Sequence, residues 1–304
     1  MRRALLSTLG LAGLVGLAGM APAAVRAPDP AYRAEIETWR AQREARLKGD
    51  GGWLQVVGLF WLKAGPTSFG TDPANGIVLP LASAPARAGV FELRDGKTTV
   101  RMENGVEATV AGTPVSVREL RPDVPGPADV LKLGPRLTLH VIERGGRYGI
   151  RLKDTQSALL KEFTGLRWFP VREDYRIDAR FVAYDPPKTI PVPNILGQVE
   201  ELPSPGYVAF TVGGREVRLD PVLEEPGADE LFFIFRDQTA GKETYGAGRF
   251  LYTPMPKDGV VALDFNRAYS PPCAFTPYAT CPLPPKQNRL SVRIEAGEMR
   301  SGHH

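Results

Sequence analysis

Between residues 264 and 285 the chain carries Asp264, Asn266 and Arg267, then Tyr269, two cysteines (Cys273 and Cys281) and six prolines. A carboxylate beside an amide and a guanidinium can accept a proton, orient a polar group and grip an anion or a carbonyl oxygen. The prolines fix φ and remove backbone donors, so this stretch is neither helix nor central strand but a stiff, shaped loop. Rigid loops holding polar side chains are where binding and catalysis concentrate. Period-two geometry in the preceding segments places Tyr245, Ala247, Arg249 and Leu251 on one strand face, and Gly246, Gly248 and Phe250 on the other. Val260, Ala262, Asp264 and Asn266 share a face that turns polar as its strand ends. The expected site is therefore a mouth lined by Arg249, Asp264, Asn266, Arg267 and Tyr269 and roofed by the proline loop. Arg249 would grip an anionic or carbonyl group, and Asp264 would act as base or acceptor. The competing reading is structural: Asp264 pairs with an arginine, and Asn266 bonds loop backbone.

No catalytic motif accompanies these residues. There is no Gly-x-Ser-x-Gly, His-Glu-x-x-His, P-loop or dinucleotide-binding glycine pattern. A serine triad would have to recruit His140, which alternates with Leu139 and Val141 in a strand. Asp237, Glu243 and Asp264 are available for hydrolysis by paired carboxylates. With only His140, His303 and His304 as histidines, the sequence implies neither a metal nor a cofactor.

The first residues address compartment. Arg2 and Arg3 precede an apolar stretch from Ala4 to Met20, and small residues at 21–27 suit cleavage, so residues 1–27 read as a signal peptide. The paired arginines and Arg26 also suit twin-arginine export. The expected location is periplasmic or secreted, with no membrane span in the remaining chain. Removing the leader lowers the formal charge from +4 to about +1 or +2. Bulk charge thus gives no argument for nucleic acid. In an exported chain, Cys273 and Cys281 favour a disulfide; closing so short a loop contributes about 2.5 kcal/mol on the chain-entropy account.

The positioning elements follow from the rest of the pattern. Asp29 caps a helix that begins with Pro30 and ends at Gly49, with Tyr32, Ile36, Trp39, Arg43 and Leu47 along one side. Arg40 and Glu44 are spaced to pair on the other side. Residues 53–62, with Trp53 and Trp61, read as an apolar strand whose tryptophans fill a core. From Phe69 to Asp154, short strands are punctuated by Asp95-Gly96, Asn104-Gly105, Ala111-Gly112 and Gly145-Gly146, the pattern of an antiparallel sandwich. Further strands run over 175–184, 195–202, 207–212, 216–219, 231–237, 244–252, 260–265 and 290–295. The proline-rich segments 185–193 and 203–206 read as an excursion and a turn. The expected class is all-β, with N-terminal helix (28–52), β-sandwich (53–155) and a larger antiparallel sheet or half-barrel (156–304).

Two resemblances add to this. Phe69-Gly70, then Ile77-Val78-Leu79-Pro80, then Gly89-Val90-Phe91 is similar in order to a forkhead-associated domain. That resemblance implies a fold. It does not carry phosphothreonine reading, because Thr71 stands where that family has arginine, and 83–86 (Ser-Ala-Pro-Ala) lacks its histidine. Almost the whole remaining chain resembles an uncharacterised bacterial and archaeal family, through Gly58–Leu62, Thr164–Val171, Phe232–Thr239, Ala247–Tyr252, Leu263–Tyr269 and the cysteine loop. This implies kinship without an activity. The expected role is a binding module for a small or extended ligand; the alternatives are a carboxylate hydrolase at Asp264 and an envelope scaffold.

Overall fold

The computed structural model describes residues 28–225 and 227–301. The leader expected over residues 1–27, with His303 and His304, lies outside the described residues. Helix α1 spans Pro30–Lys48, and the Asp29 carboxylate accepts from the amides of Ala31 and Tyr32. Its buried side is Tyr32, Ile36, Arg43 and Leu47. Arg40 and Glu44 do not pair: Arg40 donates to the Phe169 carbonyl, and Glu44 takes Lys48 and the Leu166 amide. The docked surface supplies Arg40 with a carbonyl, while Glu44 keeps an i,i+4 partner in Lys48.

A short 3-10 turn at Trp53–Gln55 replaces the start of the expected strand. The sandwich strands are β1 (Val56–Trp61), β2 (Gly65–Gly70), β3 (Ile77–Val78), β4 (Gly89–Arg94), β5 (Lys97–Met102), β6 (Ala108–Val110), β7 (Thr113–Pro114), β8 (Val117–Leu120), β9 (Val130–Leu133), β10 (Leu137–Arg144) and β11 (Arg147–Asp154). They form two sheets, ordered β1-β11-β10-β9-β6-β7 and β3-β2-β4-β5-β8. Every pairing is antiparallel except β2 with β3. Phe69 and Phe91 stack at 4.6 Å inside, with Val100, Leu131, Leu139, Val141 and Ile150 around them. At the β4–β5 hairpin, Asp95 and Gly96 both take positive φ (50° and 74°), which matches the strand twist.

The second half contains β12 (Arg176–Pro193), β13 (Val199–Val212), β14 (Arg215–Leu219), β15 (Glu230–Phe235), β16 (Arg249–Pro254) and β17 (Val260–Asp264). One sheet runs β14-β13-β12-β17; β15 and β16 form a separate ribbon, and no closed barrel forms. The proline-rich segments are strand after all. Pro186 and Pro187 fall inside the irregularity between Ala183 and Lys188, where ladder bonds lapse. Pro191, Pro193 and Pro203 occupy alternate pairs of the β12–β13 ladder. On that side of the ribbon no further strand pairs, so missing amides cost nothing there. Conversely, residues 244–248 and 290–295 are irregular. Their backbone is held by side chains described below.

Sheet alternation divides the second half into two cores. Phe233, Phe235 and Leu251 face one core with Phe210, Leu263 and Phe265. Phe232, Ile234 and Phe250 face the other, with Val192, Ala279 and Cys281. That second face looks toward Trp53 and the outer side of β10 and β11.

Candidate functional site

Asp264 and Asn266 stand where β17 ends in a 3-10 turn, Phe265–Arg267. One carboxylate oxygen of Asp264 accepts from the Tyr32 hydroxyl at 2.8 Å, from the Asn266 amide and from Asn266 Nδ2. Its other oxygen lies 3.4 Å from Arg267 Nε, and Arg267 also pairs with Glu35. Asn266 is fully buried: Nδ2 donates to the Arg172 carbonyl and to the Tyr32 hydroxyl, while Oδ1 accepts from the Arg172 amide. Burial first, and then the neighbouring Asp264 charge, push the Tyr32 hydroxyl well above its ordinary range. The donors are saturated by a helix, a loop and a turn. This cluster clamps α1 to the second β domain, as the structural reading of Asn266 anticipated.

Arg249 is elsewhere. It is 1% exposed, lies 3.2 Å from Asp237 and donates to the carbonyls of Ile294 (2.9 Å) and Ala296. Asp237 in turn accepts from the Ile294 amide at 2.7 Å and the Thr239 hydroxyl at 2.9 Å. The pair therefore fastens the irregular segment 290–296 to the β15–β16 ribbon. The glycine-lined face is also accounted for: Gly248 has φ +120°, and a side chain there would meet the Phe235 carbonyl and Pro284 below 3 Å. What approaches that glycine is the protein's own proline loop. Tyr269 lies under the Arg43 guanidinium at 4.5 Å. With Arg267, Trp39, Arg46 and Tyr252 it borders a groove of about 370 Å³ on the side of α1. The structure thus brings Asp264, Asn266 and Arg267 together, sets Tyr269 on a neighbouring groove, and turns the Arg249 side chain to Asp237, Ile294 and Ala296 instead of to any of them.

Cys273 and Cys281 are free thiols, with the Cys273 amide 3.2 Å from Cys281 Sγ. Their shared hydrogen bond holds the Cys273 thiol below the ordinary range and pushes that of Cys281 above it, burial adding to the latter. Among the described residues no group of three His, Cys, Asp or Glu side chains is placed to hold a metal ion, and no helix is long and apolar enough to cross a membrane.

The cavity that the proline loop does roof lies on its other side, at the seam between sandwich and second β domain. It measures about 310 Å³. Arg151 of β11 is 5% exposed there, its guanidinium 5.0 Å from the Trp53 ring centroid. Among the described residues no carboxylate lies within 4.0 Å of it. Among the described residues its side chain makes one hydrogen-bond contact, a long one of 3.5 Å from Nη2 to the Thr280 hydroxyl, and Nε is buried without a partner. Burial first, then the Arg144 charge, lower its pKa to about 10, with Asp123 opposing them. Arg144 of β10 converges on the same hydroxyl, Nε to Thr280 Oγ1 at 3.1 Å, while its other nitrogens hold Asp123 at 2.9 and 2.8 Å. From the facing domain come Glu200 of β13, Glu224, and the Phe232 and Phe250 rings. Two guanidiniums aimed at one small oxygen form an electropositive corner in a half-apolar hollow. Such a corner recognises oxyanions.

Alternation along β10 and β11 exposed these residues to view but not to recognition. His140, Arg144 and Arg151 occupy the face opposite Leu139, Val141 and Leu152, the face a lone sandwich would turn to water. Only the docked second domain makes it a cavity wall. The tryptophans, expected in the core, each receive an arginine instead: Arg151 over Trp53, and Arg147 over Trp61 at 4.3 Å.

Fold and site define a helix-braced, all-β protein in which a two-sheet sandwich joins a second antiparallel domain across a charged hollow. Residues 161–299 match the family described as protein of unknown function (DUF1684). No curated protein matches it. It is similar to the solution NMR structure of an uncharacterised protein from Haloarcula marismortui, at 30% identity, over 47% of this chain and 80% of that one, with a TM-score of 0.40. Lesser likenesses are to forkhead-associated domains. One, studied for phosphothreonine-dependent interactions, is 17% identical over 31% of this chain and 92% of its own, with a TM-score of 0.23. Another, from a Mycobacterium tuberculosis ABC transporter, is 22% identical over 30% of this chain and 77% of its own, also with a TM-score of 0.23.

Proposed function

We propose that this protein is a binding module for a small anionic ligand held in the seam cavity, with Arg151 as the principal grip and Arg144 beside it. One observation carries the reading: Arg151 is nearly fully buried, its Nε has no hydrogen-bond partner, and among the described residues no carboxylate bonds it directly, the nearby Asp123 being held by Arg144. A buried guanidinium without a directly bonded counter-ion is costly to the fold, and a bound oxyanion supplies the missing hydrogen bonds. The proline loop contributes as a rigid roof, through Thr280 and Cys281, in place of the Asp264 mouth. Thermal shift of the full chain against small carboxylates and phosphates tests this. A ligand at 100-fold its Kd adds about 2.7 kcal/mol of stability, and Arg151→Gln removes the gain. No stabilising anion, or a gain retained in Arg151→Gln, overturns the reading.

Export belongs to the same reading, supported by the basic and apolar pattern of residues 1–27. In an oxidising compartment, Cys273 and Cys281 pass two protons and two electrons to the disulfide of an exchange catalyst and form an S–S bond, the catalyst leaving as dithiol. Intact mass and thiol titration of secreted protein check both steps. An unprocessed N-terminus, or two titratable thiols before reduction, would refute them.

A further inference from the structure

The walls of the seam cavity carry opposite charge and belong to different domains. Arg144 and Arg151 come from the sandwich; Glu200 and Glu224 come from the second domain. Among the described residues, none of the four pairs across the cavity. Arg144 is taken by Asp123, and Glu224 accepts from the Tyr252 hydroxyl at 2.8 Å. Among the described residues Glu200, which is exposed, makes no ion pair, and Arg151 has no carboxylate bonded to it, its Nε being buried without a partner. Two charges of opposite sign that no ion pair joins, Arg151 and Glu200, border one hollow and present the complement of a dipolar molecule. Between them the Phe232 and Phe250 rings provide an apolar patch. The volume lies at the small end of ligand sites. Resting on the anion-site reading above, we propose that the ligand is a small zwitterion of the amino-acid class with an apolar side chain. Its carboxylate meets Arg151 and Arg144, its ammonium meets Glu200 and Glu224, and its side chain lies on the phenylalanines.

A lone anion would leave the acidic wall unused and would be repelled by it. A dipolar ligand gains at both ends, because each charge meets its opposite and the field inside a hollow is screened less than at the surface. Specificity of this kind arises from a polar group that a truncated analogue leaves unpaired.

The test is calorimetric titration of the full chain at neutral pH with matched trios that share a side chain. One trio is phenylalanine, 3-phenylpropionate and 2-phenylethylamine; the other is leucine, 4-methylpentanoate and 3-methylbutylamine. The expected result is that an amino acid binds at least tenfold more tightly than either truncated partner. The double variant Glu200→Gln/Glu224→Gln, confirmed folded by its melting curve, should erase the preference over the deaminated acid, whose own affinity should hold or rise as the repelling carboxylates are removed. If deaminated acids bind as tightly as amino acids, or if only inorganic phosphate or acetate binds, the dipolar assignment is overturned and the anion site stands. If no carboxylate or phosphate binds and Arg151→Gln changes no titration, the anion-site reading falls and takes this inference with it.

Discussion

Replacing Arg151 with methionine separates a binding residue from a structural one by the sign of its effect on stability. Burial and the neighbouring Arg144 hold this guanidinium at about 10, well below the ordinary arginine range. Keeping it charged at pH 7 therefore costs the fold about 3 kcal/mol. Its contact with Trp53 at 5.0 Å returns about 1–2 kcal/mol. Methionine retains most of the apolar stem and fits irregular gaps, so Arg151→Met should stabilise the protein by about 1–2 kcal/mol. Folded and unfolded chains are both protonated at pH 7, so the gain is constant near neutrality. It shrinks only as pH rises through about 10, where the folded guanidinium begins to lose its proton before the unfolded one. Urea denaturation of both proteins at pH 7 reads the difference directly, and the variant should lose anion-induced stabilisation. A variant destabilised by more than about 1 kcal/mol would show that Arg151 holds the two domains together, and the argument for a ligand would lose its basis.

Other consequences follow from the same geometry. Arg249→Met should cost about 3–5 kcal/mol, because it strands the buried Asp237; a urea midpoint near wild type would contradict the pairing. Asn266→Ala removes bonds to Arg172 and Tyr32 and should cost about 2–4 kcal/mol. It should also expose α1 to limited proteolysis while anion binding at the seam persists; loss of binding in a folded Asp264→Asn variant would instead return the site to Asp264. Burial first, then Lys153 and Arg151, lower the His140 pKa from 6.5 to about 4. Below pH 6.5 the unfolded chain takes up a proton that the folded chain refuses until about pH 4, so stability should fall over that window by up to about 3 kcal/mol. His140→Gln should flatten the decline, and an unchanged pH profile would refute the assignment.

Local physics wrote much of this fold into the chain. Asp29 and Pro30 set the helix start because a carboxylate cap and a donor-free first turn need no tertiary partner. The paired positive-φ turns set the sandwich hairpins, because only a few residue types tolerate that backbone. Alternation marked which faces of β10, β11 and β15 are apolar. Proline density misled at 185–193 and 203–206, because a missing amide is harmful only where a neighbouring strand would have used it, and strand neighbours are a tertiary fact. The same limit governed the site. Arg249 met Asp237 instead of Asp264 because β16 pairs with β15, and β17 pairs with β12. Arg151 became a buried cation only because a second domain closed over a face that periodicity assigns to water. Sequence determined which side chains share a strand face; docking of one domain on another decided which of those faces encloses a charge.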